Sequence, residues 1–191
     1  MQNSIDPRVS RSKKRILEAA ADILTRHGAQ SATIERIASH AGVARTTVYR
    51  HWDSRGQLLM DAFEMLTTPA PDPDTDDLRA GLITVLEELS WALTNSKRAR
   101  MLPALIDAAE RDAEVAELQA RHTQMRREPM RKVIESAIAR GELPVELDRD
   151  LALDQLSGPL FYRRLVTHRP ITTEFLVKLV DSAIAGWKKG E

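Results

Sequence analysis

The chain has 191 residues, of which 42% are apolar, and it carries 28 basic and 28 acidic residues but no cysteine. The lack of cysteine excludes disulfides, thiolate nucleophiles and cysteine-ligated zinc, and no apolar run approaches the roughly 20 residues that span a bilayer. A helix pattern containing Glu18 and Asp22 stands where a signal peptide would have an uncharged apolar core. We therefore expect a cytoplasmic protein without membrane contact.

The zero net charge conceals an asymmetry along the chain. Residues 1–55 contain ten lysines or arginines against five acidic residues, whereas residues 56–191 contain 18 basic and 23 acidic residues. The overall balance argues against a nucleic-acid partner, but the distribution of charge is more informative than its sum. Any nucleic-acid contact is therefore predicted in the basic N-terminal part.

Residues 1–9 lack apolar periodicity and contain Pro7, which predicts a flexible arm. A helix is predicted from Ser10 to Gly28, because apolar residues recur at helical spacing and glycine commonly ends a helix in the left-handed conformation. Its apolar residues include Ile16, Ala20, Ile23 and Leu24. Its first turn carries Arg11, Lys13, Lys14 and Arg15. Cations oppose the macrodipole there, so this cluster is either a solvated helix start or a set of phosphate contacts.

The stretch TIERIASHAGVARTTVYRHW, residues 33–52, predicts two short helices with a tight turn at Gly42. The first helix has its apolar residues at helical spacing: Ile34, Ile37, Ala38 and Ala41. In the second helix, Ala44, Val48 and Trp52 recur every four residues and are predicted to face the core. The opposite, exposed face carries Arg45, Thr46, Tyr49 and Arg50. This pattern is typical of a helix-turn-helix whose second helix enters the major groove of DNA.

The rest of the chain also predicts helices. One begins at Ser54 and continues to Leu66, and residues 67–77 then form a loop with three prolines and four aspartates. The later helices are predicted at 78–93, 98–111, 113–140, 150–168 and 172–187. Pro103 is expected to bend or break one of them and Pro129 to interrupt another. The predicted fold class is all-α, with about nine helices and no strand.

Sequence motifs of enzymes are missing. The chain has no glycine-rich phosphate loop, no pair of histidines at metal-ligand spacing and no serine in a nucleophile-elbow context. The acidic residues of the 67–77 loop lack the ligand spacing of a calcium loop. We therefore predict no enzymatic activity, no catalytic residue, no metal site and no cofactor.

Two segments carry a family resemblance: ILEAAADILTRHG and, after it, SATIERIASHAGVARTTVYRHWDSRGQLL. The threonine before the second helix, AGV at the turn, TVYRHW through the third helix and the later Leu-Leu are similar, in order and spacing, to the TetR family of bacterial transcriptional regulators. Farther along, GEL and GPLFYRRLVTHRPI resemble a C-terminal domain often attached to such regulators. The resemblance implies a homodimer that binds a palindromic double-stranded DNA operator and releases it when a small-molecule effector binds.

This resemblance suggests a division of the chain. Residues 1–66 would be the DNA-binding domain, with a disordered arm at 1–9, and residues 67–77 would be a linker loop. Residues 78–191 would bind the effector and form the dimer. The alternative is a helical interaction or sensor protein of the same fold that binds no operator.

Several residues are candidate DNA contacts. The resemblance implies that Thr33 caps the second helix and donates to a phosphate, and that Arg36 lies along the DNA backbone. Base contacts concentrate at the start of a recognition helix, which here holds Arg45, Thr46 and Thr47. Arg45 is the candidate guanine reader, because its guanidinium can bind O6 and N7 together. Arg50 belongs to the same exposed face, and the resemblance assigns phosphate contacts to Tyr49, His51 and Arg55.

Two further sets of candidates belong to the effector-binding and dimerisation domain. An effector pocket needs large or adaptable side chains, although most such residues simply fill a core. Its candidate residues are Trp91, Met101, Leu105, Met125, Phe161 and Tyr162. If a two-fold axis runs between the last two helices, their apolar stripes form a four-helix dimer interface. The interface candidates are Leu156, Leu160, Arg163, Phe175, Leu176, Leu179, Val180, Ala183 and Trp187.

Overall fold

The computed structural model describes residues 7–67, 73 and 75–188, with side chains described from residue 11 onward. Over these residues the chain is all-α, as predicted, with nine α-helices and no strand. The helices are α1 (Pro7–His27), α2 (Ile34–Ala41), α3 (Arg45–Tyr49), α4 (Arg55–Glu64), α5 (Leu78–Thr94), α6 (Lys97–Ala109), α7 (Ala113–Ala139), α8 (Arg149–Tyr162) and α9 (Thr173–Trp187). A 3₁₀ turn, Ala29–Ser31, follows α1, and a π-helical turn, Arg163–Thr167, follows α8.

The chain forms two compact units. The first consists of the described residues of Met1–Thr67 together with Lys97–His122, and the second of those of Thr68–Ser96 together with Thr123–Glu191. Helix α6 therefore belongs to the first unit, and α7 contributes residues to both. Within the described residues, no helix combines the length and the apolar character needed to cross a membrane.

The first unit is organised around α1, which packs against α2, α4 and α6. The largest fully buried aliphatic side chains are Ile16, Ile23, Leu24, Ile37, Leu58, Leu59, Met101 and Leu105. Helices as short as α2 and α3 are not stable in isolation, so α2 is held in place by packing on α1, and α3 by packing on α2.

The second unit is built from α5, α8, α9 and the later part of α7. Helix α5 packs against both α8 and α9, and α8 also contacts α9. Helix α7 approaches α5 closely at Gly81, where a Cβ would lie 3.1 Å from Cγ1 of Val133. The fully buried side chains include Leu82, Leu86, Ile134, Leu153, Leu156, Leu160 and Val180. Apolar stripes on these helices therefore close a core within the protomer.

Three prolines depart from the sequence-based expectation. Pro7 is the first residue of α1, where its missing N–H costs no intrahelical bond, so residues 7–9 are helical and not part of a flexible arm. Residues 1–6 of the predicted arm lie outside the described residues. Helix α6 continues through Pro103, so it is not broken there, and α7 continues through Pro129, so the predicted interruption of that helix is wrong. Each proline removes one hydrogen bond, but buried apolar neighbours hold both helices against the core.

The start of α4 follows the predicted capping chemistry, and α5 begins with an aspartate cap. Ser54 Oγ accepts the Gln57 N–H at 3.1 Å at the start of α4, and Asp77 Oδ1 accepts the Ala80 N–H at 3.0 Å at the start of α5. In the predicted loop 67–77, the described residues are non-helical, and residues 68–72 and 74 lie outside the description. The α-helix predicted to reach residue 168 ends instead at Tyr162, where the π-helical turn takes over.

Candidate nucleic-acid interface

The turn between α2 and α3 depends on Gly42. Its φ of 64° and ψ of 43° are left-handed, as predicted, and the Val43 N–H then donates to the Ala38 carbonyl at 3.0 Å. A Cβ on Gly42 would lie 2.8 Å from Nη2 of Arg15, whose guanidinium donates to the Ala41 carbonyl at the end of α2. A cation is favourable at a helix C-terminus, so Arg15 stabilises this motif.

Helix α3 is anchored by Val48 and by Trp52, which follows it, and their exposed fractions are 0% and 2%. The Trp52 indole Nε1 donates to Oδ2 of Asp61 on α4 at 2.8 Å. The predicted core role of both residues is therefore confirmed. Ala44, predicted on the same buried side, is exposed, because it precedes α3 in an extended conformation where the helical phase no longer applies.

The opposite side of α3 faces solvent, as predicted. Arg45, Thr46, Tyr49 and Arg50 are exposed, whereas Thr47 and His51 are half-buried. At the start of α2, Thr33 and Arg36 are also exposed, and Thr33 Oγ1 accepts the Arg36 N–H at 3.2 Å. The predicted cap at Thr33 is thereby confirmed. Contacts of these residues with DNA remain predictions.

Arg45 has a partner that the sequence analysis missed. Its Nη1 donates to Oε1 of Glu35 at 3.0 Å, although both side chains are well exposed. The pKa of Glu35 is lowered, first by a backbone hydrogen bond and then by the hydrogen bond from Arg45. The ion pair therefore links the start of α2 to the first residue of α3.

The guanidinium of Arg55 is bound to other groups of the protein. Its Nε donates to the Ala32 carbonyl at 2.9 Å, and its Nη2 donates to the Ala29 carbonyl. Its Nη1 also lies 3.8 Å from Oδ2 of Asp112, in the connection between α6 and α7. These bonds use the donors that a phosphate would need, so the geometry assigns Arg55 to positioning α4, and its DNA contact stays a prediction.

The basic cluster at the start of α1 serves more than one purpose. Arg15 binds the end of α2, and Lys14 lies 3.9 Å from Glu18 on its own helix. Lys13 is placed differently, with its Nζ 5.6 Å from the centre of the Trp52 ring. For Lys13, the two interpretations left open by the sequence, a solvated helix start and a phosphate contact, therefore stay predictions.

His51 lies near the basic residues Lys13 and Arg50. Its pKa is lowered, chiefly by partial burial and then by the positive charges of Lys13 and Arg50. Its ring also packs edge-on against Trp52, with the ring centres 5.5 Å apart. A phosphate would find several cationic or N–H donor groups together here. Only the tertiary contact between Lys13 of α1 and the ring of Trp52, which follows α3, reveals this arrangement.

The predicted effector-pocket residues are not gathered in one unit. Met101 and Leu105 are fully buried in the core of the first unit. The other four belong to the second unit, where Trp91, Met125 and Tyr162 are exposed and Phe161 is half-buried. None of the six lines any of four well-formed cavities, of about 360–470 Å³, in the described part of the chain. The pocket lining therefore stays a prediction.

The residues predicted to form the dimer interface fall into two sets, which differ in burial. Five of its residues are buried within the protomer: Leu156, Leu160, Leu176, Val180 and Trp187. Because these side chains already fill the core between α5, α8 and α9, they leave little surface for a partner, and their place in a subunit interface stays a prediction. The remaining four are half-buried and keep surface for a partner: Arg163, Phe175, Leu179 and Ala183. Arg163 lies over the Phe175 ring, with its Cζ 3.6 Å from the ring centre.

A shallow groove of about 360 Å³ runs along this part of the second unit. It is lined by Gln155, Leu179, Ser182, Ala183, Gly186 and Trp187. Three of these six residues are small, and a Cβ added at Gly186 would contact nothing within 4 Å. The groove therefore has room for another apolar surface.

Comparisons with known proteins agree with this architecture. Residues 16–62 match the family model described as bacterial regulatory proteins of the tetR family, and residues 72–183 match the tetracyclin repressor-like C-terminal domain. The uncharacterized HTH-type transcriptional regulator YdeS of Bacillus subtilis is 33% identical over 94% of this chain and 91% of its own length. The DNA-binding transcriptional repressor TetR of Mycobacteroides abscessus is 28% identical over 88% of this chain and 90% of its own length.

A solved structure shows the same fold. The TetR family transcription regulator SCO0332 is 30% identical, covers 92% of this chain and 97% of its own, and superposes with a TM-score of 0.70. Helix-turn-helix geometry, both family models and relatives along nearly the whole chain lead to one conclusion. The chain belongs to the TetR family of DNA-binding transcriptional regulators.

Proposed function

We propose that this protein is a homodimeric repressor that binds a palindromic DNA operator and is released by a small-molecule effector. The observation that carries the proposal is the exposed face of α3, with Arg45, Thr46, Tyr49 and Arg50, on a helix held by buried Val48 and Trp52. In a helix-turn-helix, the start of the second helix contacts base edges. Arg45 at that position reads a guanine, and the later residues bind phosphates.

In this proposal, residues 1–66 bind DNA and residues 67–77 link the two parts of the chain. Residues 78–191 bind the effector and form the dimer. Residues 97–122 pack in the same unit as the helix-turn-helix. Within that unit, Ser54 donates to Glu114 at 2.5 Å and Arg55 pairs with Asp112. Residues 97–122 are therefore the proposed route by which effector binding reaches the recognition helix.

The proposed dimer interface is the small-residue groove on α8 and α9, extended by exposed apolar side chains. Leu151, Tyr162 and Val166 are 54%, 58% and 62% exposed. A two-fold axis would place the same groove of a second copy opposite, so that four helices pack together. The small residues Ser182 and Gly186 permit the close approach that such packing requires.

Repression is proposed because the Mycobacteroides abscessus relative is named a repressor. A dimer must hold its two recognition helices about 34–36 Å apart to enter successive major grooves. An effector acts only through its different affinity for the DNA-bound and released conformations. Effector binding is therefore proposed to favour a conformation in which this spacing no longer matches the operator.

The experiment is selection of bound duplexes from a randomised DNA pool, followed by binding measurements at several salt concentrations. We expect an inverted repeat with half-sites about one helical turn apart. Arg45→Ala is expected to lower affinity for the selected duplex by about tenfold and to relax preference at one guanine, in line with the loss of a bidentate base contact.

The alternative, an interaction protein without operator binding, predicts a different result. No sequence would be enriched, binding would be weak at every salt concentration, and Arg45→Ala would behave like the wild-type protein. Light scattering on the same samples measures the second part of the proposal, since a monomer would contradict the dimeric arrangement.

A further inference from the structure

Glu35 is an acidic residue within the surface proposed to face DNA. It is the second residue of α2 and lies between Thr33 and Arg36, which are both exposed. A glutamate in the first turn stabilises a helix through the macrodipole. That effect requires no partner on another helix, yet the Glu35 carboxylate accepts from Nη1 of Arg45 at 3.0 Å. Helix stability therefore does not account for this bond.

The bond leaves one particular edge of Arg45 available. A guanidinium is planar and holds its five N–H donors in fixed directions. With Nη1 bound to Glu35, the edge formed by Nε and Nη2 keeps both of its N–H donors for two parallel hydrogen bonds to guanine O6 and N7. A long side chain that is oriented before binding also loses less rotamer entropy when it binds.

The same carboxylate acts against the DNA backbone. Attraction to phosphates provides sequence-independent affinity, and any negative charge at the interface reduces it. The ion pair is exposed, with side-chain exposures of 63% for Arg45 and 58% for Glu35, so its contribution to folding stability is small. A repulsive group that weakens binding to the wrong partner is one of the two general routes to specificity.

We propose that Glu35 is a specificity-determining residue, which orients Arg45 toward a guanine and penalises binding to DNA that lacks the operator sequence. The inference rests on the proposed function, because it requires Arg45 to contact a base. It adds a role for an acidic side chain on α2 that neither the recognition helix nor the phosphate contacts include.

The test measures dissociation constants for a duplex selected from the randomised pool and for a scrambled duplex of the same composition. The variants are Glu35→Gln, Arg45→Ala and the double variant. Glu35→Gln preserves shape and removes only the charge. Glu174→Gln is the matched control, because Glu174 is also an exposed first-turn acid in an ion pair, with Lys178 at 2.6 Å.

We expect Glu35→Gln to tighten binding to the scrambled duplex by about threefold, because one negative charge opposite phosphates is lost. The ratio of the two affinities should fall by about tenfold, as expected when a bidentate contact loses its orientation. In the Arg45→Ala background the effect of Glu35→Gln on this ratio should disappear. Replacing the contacted guanine by 7-deazaguanine should likewise cost the wild-type protein more than the Glu35→Gln variant.

The outcomes separate the two proposals. If Arg45→Ala leaves the affinity ratio unchanged, the proposed base readout fails, and the role of Glu35 fails with it. If Arg45→Ala lowers the ratio but Glu35→Gln does not, readout stands and the inference about Glu35 is overturned. The inference is also overturned if Glu35→Gln acts equally in the presence and absence of Arg45, or if Glu174→Gln produces the same change.

Discussion

Two tryptophans of this protein are held in similar ways beside surfaces of opposite character. Trp52 is buried after α3 and donates to Asp61 at 2.8 Å, while Trp187 is buried at the end of α9 and donates to Gln155 at 2.7 Å. The free face of α3 is polar and cationic, whereas the free surface near Trp187 is a groove of small side chains. A row of polar and cationic side chains on an anchored helix is typical of a surface that binds DNA. A groove of small residues is typical of a surface that packs against a second protein helix.

The largest expected effect is that of Trp52→Ala. Truncating a buried tryptophan costs about 3–5 kcal/mol, and here it also removes a hydrogen bond to Asp61. We expect a large decrease in unfolding midpoint in urea and loss of DNA binding. Trp187→Ala is the comparison, measured at the same protein concentration. It should lower stability as well, but any folded protein that remains should keep the exposed face of α3.

The groove in the second unit is tested by Ser182→Trp. Ser182 is exposed and lines the groove, so the protomer should tolerate a larger side chain, while the proposed dimer should lose about 1–3 kcal/mol through overpacking. Light scattering over a dilution series measures the dimer, and Ser182→Ala is the control. A tryptophan variant that remains as dimeric as the control would show that the subunits meet elsewhere.

Substitutions of Arg50 and Arg55 distinguish a residue that contacts DNA from one that stabilises the fold. Arg55→Ala should reduce the free energy of unfolding by about 1–3 kcal/mol, because it leaves the carbonyls of Ala29 and Ala32 without this donor. Arg50→Ala should leave stability unchanged and reduce the salt dependence of operator binding by about one phosphate contact. Thermal unfolding and salt titrations measure both quantities. If the two variants exchanged these effects, the assignments drawn from the structure would be reversed.

The smallest expected effect is the pH dependence that His51 gives to folding stability and to operator affinity. Its lowered pKa means that the folded protein binds fewer protons there than the unfolded chain. The stability contributed by neutral His51 is therefore present above pH about 6.5 and is lost as the pH falls through the folded pKa. A phosphate beside Lys13, Arg50 and His51 would favour the protonated form, so operator affinity should rise as the pH falls from 7.5 toward 6.

Binding measurements across this pH range check the prediction, with His51→Gln as the variant that cannot titrate. The affinity of His51→Gln should change less with pH than that of the wild-type protein. Identical pH profiles would remove His51 from the phosphate contacts without affecting the assignment of Arg45.

Much of the helix-turn-helix could be predicted from neighbouring residues. The left-handed Gly42, the cap at Thr33 and the burial of Val48 and Trp52 follow from local rules of backbone conformation, capping and periodicity. Prediction was weaker where a helix has apolar residues on more than one side. Leu156 and Val180 fit an intersubunit stripe as well as an internal one, and only the packing of α5 against α8 and α9 shows that they are internal.

The sequence by itself determined the all-α architecture, the family and the exposed face of α3, because these depend on residues within a few helical turns of one another. The tertiary structure alone decided which charges meet. Glu35 and Arg45 are 10 positions apart, and Arg55 binds a carbonyl 23 positions away. An ion pair or a bond to a backbone carbonyl has no periodic signature, so its partner emerges only when the helices that carry both groups are packed together.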